Sequence, residues 1–600
     1  MKTPESTTRR GRRRAADRRA ASADSPARPS FPPWTAPALL FAAAVAVYLP
    51  ALNGTWLWDD KYAVHGNLLL RHWSGLLSFW TSFGNMPAEE HYWPVTYSVL
   101  WLEWRCWGES VAGFHFANFA LHGLIVVQLF RLCRRIGMGA AGAAIATALF
   151  ALHPVHAEAV AWIISVKDLL AALFYLAAIE CCLNFHDGGR RLWPALGCLA
   201  AAAAMLSKSS PLMLPAGWGL LAWYRFGRLT RRDWACVALL GVVTISIASL
   251  DTWLRIEFDA VGGQGPSLAA RLDQSAHAFW FYLQKLLLPV GLSAVYPRWA
   301  IDPGRALDWL PMAAIVLVTG GLWAARGRIG RGPLACWLFY GMTLGPALGV
   351  VYFGFLTRTP AADRYQYLAS IGPIAGVGAL AGAWIENHPA RRGRAVAAVA
   401  AVLAFCGALT LRQAGYYRDE ETLFSQARRV APDSSFVYFN LGNAFFEQNR
   451  LAEAEKMFAE AVRVEPDYWM AVCNLGAALI AQNKFAEAVD LFNKAIDDGC
   501  TAPAVFCNAI SIMSTSRDPR IYNPGRALRI ANQLIERRGR GDPSYVCVLA
   551  MAQAANGRFS EAIDNARQAL DLARQCDQPE IVQKMPLLIR LYQRGETERN

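Results

Sequence analysis

A succession of apolar stretches, each near the length needed to cross a bilayer and punctuated by clusters of arginine, constrains this chain more than any other feature. The stretches lie near residues 35–52, 113–132, 139–153, 166–185, 192–207, 211–225, 234–253, 309–325, 333–352, 366–385 and 395–412. A hydrocarbon core about 30 Å thick leaves a spanning backbone no partner but itself, so each stretch reads as a helix, the shorter ones needing polar flanks. With 54% hydrophobic and only 18% charged residues over 600 positions, the chain is too apolar for an ordinary soluble protein and too long for one domain.

Arginine sets the orientation. Basic clusters at Arg131/Arg134/Arg135, Arg190/Arg191, Arg225/Arg228/Arg231/Arg232, Arg326/Arg328/Arg331 and Arg391/Arg392/Arg394 follow every even-numbered stretch. With the N-terminus inside, eleven crossings put all five clusters in the cytoplasm and everything after residue 412 on the other side. The apolar stretch 276–291 breaks this parity if counted, so it is assigned to a re-entrant or interfacial helix on the outer side. Residues 1–33, with Arg9, Arg10, Arg12, Arg13, Arg14, Arg18 and Arg19, read as a disordered basic cytoplasmic tail rather than an arm for lipid or nucleic acid. The apolar segment from Trp34 has no small-residue cleavage site and is expected to stay as an anchor. Thirteen cysteines without a CxxC pair suggest neither a zinc site nor a disulfide framework.

Beyond residue 412 the pattern changes. Tyr438, Leu441, Gly442, Phe445, Ala454, Phe458, Ala461 and Pro466 recur 34 residues later as Val472, Leu475, Gly476, Leu479, Ala488, Phe492, Ala495 and Cys500. That period and those small and large positions are the helix-turn-helix pattern of a tetratricopeptide repeat. Phe424, Ala427 and Pro432 fit a lone capping second helix; residues 503–542 fit a degenerate repeat with an insertion at 514–523, residues 543–576 a further repeat, and 580–594 a closing helix. The expected fold is all-α: a polytopic transmembrane domain over 34–412 and a tetratricopeptide-repeat solenoid over 413–600. The solenoid either presents a groove to an extended polypeptide or acts as a spacer.

Charged residues gather on the outer face of this topology: Asp59 and Asp60, His153, His156 and Glu158, Lys167 and Asp168, Lys208, and Asp363, Arg364 and Tyr365. Moving a sugar from a lipid phosphate to a hydroxyl needs a carboxylate for the proton and cations for the departing phosphate. Asp59 is the expected base, its neighbour Asp60 raising its proton affinity by repulsion; a helix cap or solvated turn is the alternative. Arg364 is expected to clamp phosphate or to pair with Asp363, with Lys208, Lys167 and Lys285 assisting. Lys167 and Asp168 read as a mutual ion pair. His153, His156 and Glu158 have the chemistry of a zinc or manganese site, leaving room for a divalent metal, or else order a short interfacial turn. The tryptophans Trp56, Trp58, Trp73, Trp80, Trp93, Trp101, Trp104 and Trp107 fit an outer aromatic belt.

Several segments carry a resemblance: Leu52-Asn-Gly-Thr-Trp-Leu-Trp-Asp-Asp60, Trp93-Pro-Val-Thr-Tyr97, Phe114-His-Phe-Ala-Asn118, His153-Pro-Val-His-Ala-Glu-Ala-Val-Ala-Trp162, Lys167-Asp-Leu-Leu-Ala-Ala-Leu-Phe174 and Asp363-Arg-Tyr-Gln-Tyr-Leu368. They resemble, in order and from about residue 35 into the repeats, the transmembrane and tetratricopeptide-repeat O-mannosyltransferase family of the GT-C superfamily. The resemblance implies inverting transfer of mannose from a polyprenyl phosphate to Ser or Thr of a protein, with the catalytic base in the Asp59-Asp60 motif. The repeat array is short for that family. Alanine- and arginine-rich composition points to a bacterial inner membrane, an undecaprenyl carrier and repeats in the periplasm. The expected partners are thus a polyprenyl-phosphate sugar, an acceptor polypeptide bound by the repeats and the bilayer, with no nucleic acid. The alternative is a non-catalytic membrane scaffold whose repeats recruit partners for envelope assembly, but one anchor helix would suffice for that. A transporter would call for charge inside the bilayer, where only Glu180 is conspicuous, and for internal duplication.

Overall fold

A computed structural model describes residues 32, 34–82, 91–258, 266–350, 354–576 and 578–599. The expectation of a disordered tail falls almost entirely outside them. Among the described residues the regular elements are all helices. The membrane part comprises α1 (Thr35–Ala46), α2 (Trp73–Thr81), α3 (Pro94–Trp107), α4 (Val111–Arg135), α5 (Ala140–Leu152), the single turn α6 (Ala157–Ala161), α7 (Val166–His186), α8 (Leu192–Ser207), α9 (Leu214–Phe226), α10 (Arg231–Phe258), α11 (Leu268–Leu287), α12 (Leu310–Ile329), α13 (Gly332–Leu344), α14 (Ile371–Asn387) and α15 (Arg392–Tyr416).

Each of the eleven apolar stretches contains a helix, but among the described residues four helical segments combine the length and apolarity to cross unaided: Val111–Arg135, Arg231–Arg255, Ala306–Ile329 and Pro389–Tyr416. Several others are too short; α1 and α8, with 12 and 16 residues at 1.5 Å each, reach about 18–24 Å against a core of about 30 Å. The stretch 139–153, expected as a simple crossing, is α5 followed by a 49° bend into Pro154–Ala161. That bend carries Glu158 to the site described below. The segment expected as interfacial is α11, whose Asp273, Ala276, Phe279, Tyr282 and Leu286 face inward while Leu268 and Leu287 are exposed. The aromatic belt is only partial: Trp73, Trp80 and Trp107 are exposed, whereas Trp93, Trp101 and Trp104 are buried.

Three residues after α15 the solenoid begins, as α16 (Glu420–Val430), α17 (Ser435–Glu447), α18 (Leu451–Val464), α19 (Trp469–Ala481), α20 (Phe485–Asp497), α21 (Pro503–Thr515), α22 (Pro524–Arg538), α23 (Pro543–Ala555), α24 (Phe559–Gln575) and α25 (Pro579–Gln593). The lone capping helix, the insertion between α21 and α22, and the closing helix all fall where the period puts them. A Cβ on Gly442 would lie 2.6 Å from the Phe458 ring, and one on Gly476 2.0 Å from the Phe492 ring, so glycine at this repeat position lets the paired helix drive a phenylalanine against backbone. Asn449 and Asn483, also 34 apart, take the left-handed conformation that ends the first helix of each pair (φ 59° and 62°). One apolar core runs without a break from the membrane part through Leu57, Leu292, Tyr417 and Phe424 into the repeats, while α23–α25 add a cluster of their own around Val546, Ala566 and Met585.

Candidate active site

The loop after α1 carries Trp58, Asp59 and Asp60 on a distorted backbone. Trp58 has φ +49°, a region bulky side chains avoid at a cost of about 1–3 kcal/mol. Its surroundings hold it there. The Trp58 N–H donates to Glu420 of α16 at 2.7 Å, and its ring stacks on Trp162 (5.3 Å, 14° between planes) with Phe424 and Phe436 of the solenoid 5.6 and 5.4 Å away.

The two aspartates have different surroundings. Asp60 is fully buried; its Oδ2 accepts from the Leu57 N–H at 3.1 Å and its Oδ1 from the Ile164 N–H at 2.9 Å, pinning this loop to the one after α6. Burial pushes its pKa well above the usual carboxylate range against the pull of those two donors. Asp59, by contrast, is exposed to solvent. Desolvation by the surrounding protein raises its pKa too, opposed by the positive charges of Lys167 and Arg364.

Those cations belong to a compact network. Arg364, 7% exposed, bonds Glu158 both through its guanidinium and through its backbone N–H (3.0 Å to Oε2), and its Cζ lies 5.1 Å from the Trp162 ring centre and 4.8 Å from that of Tyr365. Its Nη2 also donates to the Tyr365 hydroxyl at 3.3 Å. Lys208, just past the end of α8, bonds Asp168 at 2.5 Å and lies 5.2 Å over the same Tyr365 ring. Burial lowers the Lys208 pKa to about 8, with Asp168 opposing. The Lys167 ammonium lies 4.6 Å over Trp93, whose indole N–H donates to Ser209, which in turn donates to Asp251.

Four expectations are corrected here. Lys167 and Asp168 are not a mutual pair, because adjacent helical residues point about 100° apart; Asp168 turns to Lys208 and Lys167 to Trp93. Arg364 does not pair with Asp363, which instead accepts from the Tyr296 hydroxyl at 2.8 Å. Lys285 does not stand with the other cations: its ammonium donates to the Val290 and Gly291 carbonyls and lies over Phe281 and Tyr296. His153, His156 and Glu158 do not converge as metal ligands. Both His156 nitrogens are taken, by the Phe150 carbonyl (2.8 Å) and Ser370 (2.9 Å); His153 accepts from the Val155 N–H, and Glu158 is held by Arg364. Among the described residues no other group of three acids, histidines or cysteines converges either.

Trp162 and Glu420 were not singled out in the sequence. Trp162 closes one of the motifs, and its packing against both Trp58 and Arg364 has no sequence signal. Glu420 stands in the first turn of a helix the period had located, but nothing local marks its reach to Trp58.

Tetratricopeptide-repeat family models match residues 407–463 and 439–503. The human protein O-mannosyl-transferase TMTC4 is 24% identical over 480 residues, covering 69% of this chain and 64% of its own length. The Caenorhabditis elegans protein O-mannosyl-transferase F38B6.6 is 22% identical over 442 residues, covering 69% and 61%. A shorter match, 32% identical over 154 residues, joins 24% of this chain to 18% of human protein O-mannosyl-transferase TMTC1. The chain thus spans just under two thirds of the length of the curated relatives it matches over most of its own. Apolar helices, loop motifs and repeats occur together in one multi-pass membrane protein, and over most of its length the chain is similar to protein O-mannosyl-transferases that carry the same combination of segments.

Proposed function

We propose that this chain is a membrane glycosyltransferase of GT-C type that moves mannose from a polyprenyl-phosphate donor to a Ser or Thr hydroxyl of a polypeptide held by its repeats. The reading includes a basic tail over residues 1–33, a membrane domain over 34–412 with eleven crossings, and a solenoid over 413–600 on the non-cytoplasmic side, in the periplasm of a bacterial inner membrane. It is carried by Asp59, a solvent-reached carboxylate in the field of two cations, Lys167 and Arg364.

Asp59, Glu158 and Asp168 stand against Lys167, Lys208 and Arg364. Lys208 and Arg364 meet the sugar-bearing phosphate, Glu158 fixing the guanidinium plane and Tyr365 lying against both cations. The acceptor oxygen attacks the anomeric carbon from the face opposite the phosphate and forms the new C–O bond. The bond from that carbon to the phosphate oxygen breaks, and its electron pair leaves with the polyprenyl phosphate, which gains a charge that the cations stabilise. The hydroxyl proton passes to Asp59, whose raised pKa makes it a stronger base than a free carboxylate.

The test is transfer of labelled mannose from polyprenyl-phosphate mannose to a Ser/Thr-containing polypeptide by full-length protein in proteoliposomes. Asp59→Asn should lower the rate by about 10²–10⁴-fold, the range for loss of a general base. A wild-type rate in that variant would remove Asp59 from the mechanism, and a wild-type protein that moved no polyprenyl-linked sugar to polypeptide would remove the activity.

A further inference from the structure

The segment bearing Asp59 is held from two sides. From below, the Asp60 carboxylate ties Leu57 to Ile164 within the membrane part. From above, the solenoid grips the residues flanking the aspartates: Glu420 accepts from the Trp58 N–H through Oε1 and from the Lys61 ammonium through Oε2, each at 2.7 Å. Lys61 also pairs with Glu447 of α17, and the Thr55 N–H donates to the Arg418 carbonyl at 2.8 Å. Glu420 is itself well placed. It lies in the first turn of α16, where the helix dipole favours a carboxylate, and Asp419 caps that turn by accepting from the Thr422 N–H at 2.7 Å.

We infer that Glu420 is a positioning residue for Asp59, so that the first turn of the repeat domain completes a catalytic loop the membrane domain does not hold alone. Trp58 keeps its left-handed backbone because its N–H is fixed by a carboxylate and its ring is trapped between Trp162 and the solenoid's Phe424 and Phe436. With Glu420 gone, Trp58 can relax toward negative φ and turn the next residue, Asp59, out of line with Lys167 and Arg364. This inference rests on the glycosyltransferase reading for its effect on rate, but its structural half stands without it.

The experiment uses full-length Glu420→Ala, Glu420→Gln and, as a control, Glu447→Ala, which removes only the more exposed partner of Lys61. Hydrogen exchange of the Leu57–Lys61 amides should accelerate in Glu420→Ala while α18–α20 stay protected. The kcat for mannose transfer should fall about 10²-fold, the effect of displacing a catalytic group by about 1 Å, with the donor KM unchanged. Glu420→Gln keeps an oxygen for the Trp58 N–H and should recover kcat to within about tenfold of wild type, the worth of a single hydrogen bond. Unchanged exchange in Glu420→Ala overturns the inference, as does an unchanged kcat or a glutamine variant no better than alanine. Faster exchange in a chain whose wild type transfers no mannose would uphold the positional half and count against the activity instead.

Discussion

The solenoid and the charged cluster around Arg364 are built on opposite principles. In the solenoid one steric fit, a phenylalanine driven against a glycine backbone, recurs every 34 residues between neighbours in sequence. In the cluster the structure rests on buried charges from distant segments, Glu158 with Arg364 and Asp168 with Lys208. The first kind of order spreads its stability over many equivalent contacts. The second concentrates it in a few pairs, where losing one partner strands the other.

The largest effect is expected where stranding is worst. Glu158→Ala leaves the Arg364 guanidinium buried without its carboxylate and should lower stability by about 3–5 kcal/mol in thermal unfolding of the detergent-solubilised protein. In the solenoid, Gly476→Ala forces a methyl group toward the Phe492 ring and should cost about 1–3 kcal/mol in the same experiment, with Gly442→Ala less because its phenylalanine stands farther off. A greater loss from Gly476→Ala than from Glu158→Ala would invert the contrast. The smallest effect concerns pH. Lys208 titrates near 8 in the folded protein, so its charge is present below that value and lost above it. Donor KM should be flat below pH 8 and rise by up to about tenfold for each further unit as the protonated fraction falls. Lys208→Arg, charged throughout, should flatten the profile.

The same contrast governs what could be read in advance. The helices at the apolar stretches, the lone capping helix, the insertion and the closing helix were legible because periods of hydrophobicity and side-chain size are local properties of a sequence. The residue types gathered around Asp59 were legible too, since charges next to apolar stretches call for a purpose. Their pairing was not. Lys167 and Asp168 look like partners on paper, yet helical geometry separates them and sends each to a residue far away. Asp363 and Arg364 part in the same manner, to Tyr296 and Glu158. Nor could the sequence tell Asp59 from Asp60: only the fold makes one a bolt between two loops and leaves the other open to solvent.

The separate apolar cluster at the far end of the array bears on tolerance of substitution. Helices α16 and α17 are locked to the membrane domain through Glu420, Phe424, Phe436 and Glu447, whereas α24 and α25, packed on one face of α23, lie remote in sequence from those contacts. A change confined to that cluster can therefore be absorbed where it occurs, leaving the bonds that fix Trp58 and Asp60 as they are.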